Sequence, residues 1–166
     1  MADEAAAPGR YRAWLVWIPE YVALVALFLM GLITYEGLQV LPARIPTHFG
    51  ASGLPDGWGP KSTFFLLPAI GLVLYLGITL AQRFPRRFNY PARLTEENRE
   101  RLASLMLALL RWTKCEILAL FGYLQLVTVL VATRRASGLG VIPMFTFIGV
   151  LLSTSILFTV WARRVA

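Results

Sequence analysis

Cysteine and histidine each occur once in this chain of 166 residues, as Cys115 and His48. A single cysteine excludes an intramolecular disulfide framework and a multi-cysteine metal centre. Its place at the start of an apolar run suits a small core residue. One histidine leaves any zinc site short of the three or four protein ligands that zinc normally takes, so neither a metal nor a cofactor is expected. Charge is scarce as well, at 15% of residues, with 9 acidic side chains against 16 Lys and Arg and a net charge of +7. An ordinary soluble domain carries roughly a quarter charged residues. With 57% hydrophobic residues and a mean hydropathy of +0.63, this chain reads as an integral membrane protein. The arginines scatter over several segments without a recognition motif, which argues against nucleic acid as a partner. There is no internal repeat and no low-complexity linker, so residues 1–166 read as a single membrane domain.

Long apolar runs are what the chain does have. About 20 apolar residues at 1.5 Å each match a hydrocarbon core of about 30 Å, and four stretches qualify: 13–35, 63–82, 115–133 and 141–162. Each must be helical in lipid, where an unpaired backbone group has no water to turn to. The expected fold is therefore an all-α, four-transmembrane-helix bundle. The first run exceeds the 7 to 15 residues typical of a signal-peptide core and ends in Ile33-Thr34-Tyr35-Glu36 rather than at small residues, which reads as a retained anchor.

Cytoplasmic loops of membrane proteins hold an excess of Lys and Arg. Arg10, Arg12, Arg83, Arg86, Arg87, Arg93, Arg99, Arg101, Arg163 and Arg164 belong to the two tails and the second loop. Only Arg44, Lys61, Arg134 and Arg135 belong to the first and third loops. This asymmetry places both termini in the cytoplasm, makes the basic rim a partner for an anionic inner leaflet, and turns the first loop outward. Met1 to Gly9 reads as a frayed start; Trp14, Trp17 and Tyr21 suit an interfacial aromatic belt. Pro19 falls in the first turn or marks a kink. Ser62 or Thr63 is the expected cap of the second helix. In loop 83–114, Pro91 holds extended chain and Thr95-Glu96-Glu97-Asn98 opens a helix. Continued to Thr133, that helix is about 58 Å long, twice the hydrocarbon thickness. Its segment Leu102 to Leu110 is apolar on nearly every side, which favours burial against another helix or a second copy over an interfacial position.

Three groups of residues carry the chemistry. The first is Glu20 and Glu116 inside apolar runs, where a charge costs about 2.5 to 3.5 kcal/mol at mid-membrane and normally faces a partner. Trp112, Glu116, Ala119 and Tyr123 share one helix face. Arg111 and Lys114 stand at the right height to meet Glu20, as structural ion pairs or as a proton- or ion-linked site. The second is the expected ordered outer loop, 36–62. Its four prolines and five glycines limit chain entropy and permit sharp turns; His48 and Asp56 can share one concave surface with Trp58 and Phe49, and Pro46 and Thr47 are further ligand-binding candidates of the loop. The third is the inner motif around Asn89, Tyr90 and Asn98, which by itself reads as a turn and a capped helix.

The run Ile45-Pro46-Thr47-His48-Phe49, Gly53, Pro55-Asp56-Gly57-Trp58-Gly59 resembles the signature of the bacterial membrane domain of unknown function 1648, found also at the N-terminus of SdpI-type immunity proteins. The inner Asn89-Tyr90-Pro91 and Thr95-Glu96-Glu97-Asn98 are similar to stand-alone members of that group, and the likeness spans roughly Leu41 to Tyr123. At Gly50 the family more often carries asparagine, and at Leu54 a polar or acidic residue. The resemblance implies a multipass protein of the bacterial plasma membrane, with SdpI-like members conferring resistance to a secreted peptide toxin and signalling its presence.

The leading expectation is a noncatalytic membrane protein whose outer loop recognises an extracellular peptide or small ligand, with His48 and Asp56 as polar fixings. A second is a membrane-surface enzyme with His48 as general base and Asp56 as its orienter. A third is a small transporter or a structural subunit, as a homo-oligomer or in a larger membrane complex.

Overall fold

Nearly all the regular structure is helical, because the sequence offers the backbone few stretches polar enough to satisfy its amides by water. A computed structural model describes residues 13–90 and 93–164. Helix α1 (Ala13–Val40) leads to strands β1 (Arg44–Phe49) and β2 (Pro55–Pro60). A 3-10 turn (Lys61–Phe65) then enters helix α2 (Leu66–Ala81), and a second (Pro85–Arg87) precedes helices α3 (Arg99–Ala132) and α4 (Val141–Arg164). Among the described residues, four helical segments, counting Lys61–Ala81 as one, are long and apolar enough to cross a membrane. The chain is thus a multipass membrane protein. Its perimeter fits that reading: the apolar side chains of Phe28, Val73, Ile142, Phe145 and Ile156 are all exposed, as lipid-facing side chains are.

The all-α expectation needs correction at the segment joining α1 and α2, which is an antiparallel β-hairpin. Arg44 pairs with Pro60, Ile45 with Gly59, Pro46 with Trp58, His48 with Gly57 and Phe49 with Pro55, and the register shifts between Pro46 and His48. Three prolines fit because a two-stranded hairpin has only outer edges, where a missing N–H costs no ladder bond.

Other boundaries shift too. The first helix continues through Glu36 to Val40 instead of stopping at Tyr35, and Pro19 sits inside it. No side-chain cap opens the 3-10 turn before α2: Pro60 holds the cap position, and the Thr63 hydroxyl instead donates to the Pro60 carbonyl (2.7 Å). The third span is one continuous helix of 34 residues, roughly 51 Å long, starting at Arg99 rather than Thr95.

α3 is the central element, touching α1, α2 and α4. Ala23, Cys115 and Leu118 form a buried cluster with Ala26, Leu27 and Tyr75 at the α1–α2–α3 junction. The juxtamembrane stretch of α3 is covered from within the chain: Leu102 and Leu105 pack with Ala162 and Phe158 of α4 and with Tyr90. α4 is peripheral, its most apolar stretch having no residue buried inside the protein. Met1 to Gly9, Arg10, Arg12 and Pro91 lie outside the described residues, as does the side chain of Trp14.

Candidate functional site

The hairpin is held at both ends. At its base, Ile45 is buried with Leu41 and Phe64 against Ile33, Val129 and Ala132, and the Lys61 ammonium donates to the Leu38 carbonyl at the end of α1 (2.6 Å). At its tip, Gly50 N–H donates to the Leu54 carbonyl (2.9 Å) and Leu139 N–H donates to the Gly53 carbonyl (2.8 Å). Gly53 has φ +76°, a region that favours glycine. Gly138 lies so close to that carbonyl that a Cβ would overlap it. Phe49 packs with Leu139, Val127 and Val131, and the Tyr123 hydroxyl donates to the Leu139 carbonyl. The α3–α4 connection is therefore a clamp on the hairpin, a role that sequence reading does not assign to Gly138 or Leu139.

Between those fixed ends the hairpin exposes its polar and aromatic residues. His48 Nδ1 lies 2.5 Å from Asp56 Oδ1, with side chains 72% and 54% exposed. A carboxylate only accepts, so the imidazole N–H is the donor and Nε2 is turned away from the pair. An exposed pair of this kind contributes about 0 to 1 kcal/mol; its effect is to orient the ring. Glycines make room for it. A Cβ on Gly57 would come within 2.9 Å of the His48 Cβ, and one on Gly50 within 2.8 Å of the Asp56 carboxylate. Trp58 is 46% exposed, and the Arg44 guanidinium donates to its carbonyl (3.3 Å). Thr47 is exposed and Pro46 buried. Pro46, Thr47 and Phe49 line a cavity of about 190 Å³ between the hairpin, α2 and α3, whose other walls include Phe64, Leu67 and Thr128.

A second polar centre sits toward the opposite end of the bundle. Lys114, with no exposed surface, donates to both carboxylate oxygens of Glu20 (2.9 and 2.7 Å) and to the Thr79 hydroxyl (3.0 Å). Its Nζ also lies 4.5 Å from the centre of the Tyr75 ring, a cation–π distance. Arg111 Nε stands 3.5 Å from Glu20 Oε1. Three helices thus converge on one ion pair, α2 reaching it through the Lys114 ammonium. Tyr75 and Thr79 escape attention in the sequence because they are neutral, yet a threonine inside an apolar run is itself a signal that a hydrogen-bond partner is near.

Glu116 belongs to neither centre. It faces α4, where the Thr154 hydroxyl donates to Oε1 (2.6 Å) while Oε2 has no hydrogen-bond partner among the described residues. Tyr123, two turns along the same face, stacks on Phe147 of α4 with ring centroids 5.6 Å apart. Glu116 does not line the cavity that Glu20 lines. A further buried polar contact joins α1 and α3 through Gln125 Nε2, which donates to Thr34 Oγ1 (2.5 Å).

The inner motif is a local scaffold. Thr95 N–H donates to Asn98 Oδ1 (2.8 Å), Asn98 N–H to Thr95 Oγ1 (3.3 Å), and Asn98 Nδ2 to the Arg93 carbonyl (2.9 Å), so one buried asparagine ties the turn to the start of α3. The Tyr90 hydroxyl donates to the Pro85 carbonyl (2.7 Å), and burial pushes that phenol above its usual pKa. Asn89 is exposed.

Residues 22–72 match the family described as "Domain of unknown function (DUF1648)". The match covers most of α1, the whole hairpin and the first part of α2, and leaves Asn89, Tyr90 and Asn98 outside it. An uncharacterized protein of Archaeoglobus fulgidus is 37% identical over 79 residues, 43% of this chain. The chain covers 42% of that relative's length. No solved structure matches.

Proposed function

We propose that this chain is a noncatalytic protein of a bacterial plasma membrane whose hairpin faces outward and recognises a peptide or small ligand, in an immunity or signalling role of the SdpI type. The observation that carries the reading is the hairpin's immobilisation: clamped at the tip by Leu139 and at the base by Lys61, it presents Trp58 and the His48–Asp56 pair with little ordering left to do on binding. Pre-organisation of this kind lowers the entropic cost of recognition, and a rigid aromatic beside polar groups is the usual composition of a contact surface. The test compares cells with and without the protein against a panel of secreted peptide toxins, alongside Trp58→Ala. Protection that the substitution abolishes without lowering the protein's level supports the reading; equal sensitivity of both strains to every peptide removes the immunity role.

The 2.5 Å contact of His48 with Asp56 also favours a second reading, a membrane-surface enzyme in which Asp56 orients His48 as a general base with Nε2 free for substrate. It requires Asp56→Asn to abolish turnover of a surface substrate while leaving ligand binding unchanged.

A further inference from the structure

The charge centre around Glu20 is unbalanced. Lys114 has three donor protons, and all three are engaged, two on the Glu20 oxygens and one on Thr79. Glu20 is thereby neutralised. Arg111 is left as a surplus cation: its 3.5 Å approach to Glu20 is an ion-pair contact, and its buried Nε forms no hydrogen bond among the described residues. A second unsatisfied donor, the buried Gln82 Nε2, lines the same cleft, a space of about 320 Å³ between α1, α2 and α3. That is roughly the volume of ten waters in the liquid. Trp17 and Tyr21, both exposed, stand in its wall.

Each of these features points to the same occupant. Two unsatisfied donors call for an acceptor, and a net positive cleft in a low-dielectric setting calls for an anion. The depth is that of a headgroup: Gln82 directly follows α2, and Arg83 and Arg87 come next in the chain. Exposed Trp and Tyr side chains settle at the headgroup level. We infer that this cleft binds an anionic phosphate group, supplied by a phospholipid headgroup, with Arg111 and Gln82 as its hydrogen-bond donors and the Trp17–Tyr21 wall against its glycerol and upper acyl chain. The guanidinium fork matches phosphate oxygens bidentately.

The site is independent of the hairpin and is tested separately. The full chain, delipidated in nonionic detergent micelles, is titrated with short-chain phosphatidylglycerol, short-chain phosphatidylcholine, inorganic phosphate and octanoate, and bound ligand is read by native mass spectrometry. Phosphatidylglycerol is expected to bind saturably. Gln82→Leu, which leaves the Glu20 ion pairs intact, and Arg111→Gln are each expected to weaken it about tenfold, the loss of one charge-assisted hydrogen bond. The rim pair Arg163→Gln and Arg164→Gln is expected to leave it unchanged. Inorganic phosphate displacing the lipid at equal concentration would overturn the headgroup as source. Octanoate or phosphatidylcholine binding as tightly as phosphatidylglycerol would overturn the anionic phosphate, and a Gln82→Leu protein that binds like the parent would overturn the site.

Discussion

At the scale of single residues, the two polar centres differ in what holds them. His48 and Asp56 are exposed and could lose their mutual contact at little cost, so the pair is sensitive to geometry more than to energy. Gly57→Ala tests that directly, since the added methyl would sit 2.9 Å from the His48 Cβ. Something must shift, at a cost of about 1 to 3 kcal/mol. The expected result is faster amide exchange confined to residues 44–60, with the helices unaffected. The Glu20 centre is the opposite case. Glu20→Gln strands the buried Lys114 ammonium among apolar helices and is expected to destabilise by about 3 to 5 kcal/mol, whereas Lys114→Met leaves Glu20 paired with Arg111 at 3.5 Å and is expected to cost less. The double variant should cost less than the sum, because the second change removes the charge that the first left unpaired. Unfolding in mixed sodium dodecyl sulfate micelles measures all three, and additive losses would contradict a direct Glu20–Lys114 pair.

At the scale of elements, the helices could be located from the sequence because hydrocarbon thickness sets the least length of an apolar run that can cross, although α1 and α3 run beyond that length. The hairpin could not. Its strands RIPTHF and PDGWGP hold three prolines and two glycines, all poor strand formers, and they alternate irregularly because the register shifts near Thr47. Their stability comes from elsewhere in the chain: Phe64 under the base and Leu139 at the tip. Partner choice was legible only in part: height along the helices brought Arg111 and Lys114 within reach of Glu20 but left open which carboxylate Lys114 takes. Lys114 and Glu116 are two residues apart and so cannot share a helix face, but only packing decides that Lys114 turns to α1 and Glu116 to α4. Pattern did carry the joint placement of Glu116 and Tyr123, which four- and three-residue spacing puts on one face. The dependence of the hairpin on the α3–α4 connection yields a prediction at this scale. Gly138→Ala places a methyl on the Gly53 carbonyl, and is expected to release the tip at a cost of about 1 to 3 kcal/mol. Hydrogen exchange should quicken at Leu139 and Gly53 together while α1 and α2 keep their protection; quickening at neither would show that the clamp is dispensable.

At the scale of the whole molecule, four crossings require the first and third connections to share one side of the membrane, and the Leu139 to Gly53 hydrogen bond unites them independently of any charge count. The second connection then lies on the other side. The distribution of arginine selects which side is which, because cytoplasmic segments concentrate Lys and Arg. In the orientation proposed above the hairpin lies outside, in keeping with six arginines in residues 83–101 against Arg44, Lys61, Arg134 and Arg135 around the hairpin and its clamp. Ser52, Asn89 and Ser137 are all exposed, and the buried Cys115 can be replaced by serine to give a clean background. Single cysteines at positions 52 and 137 are expected to react with a membrane-impermeant maleimide on intact cells, and a cysteine at position 89 only after permeabilisation. Labelling of 52 and 89 from the same side would break the four-span topology itself. Labelling of 89 alone on intact cells would keep the topology but invert it, placing Trp58 and the His48–Asp56 pair in the cytoplasm, out of reach of any extracellular peptide.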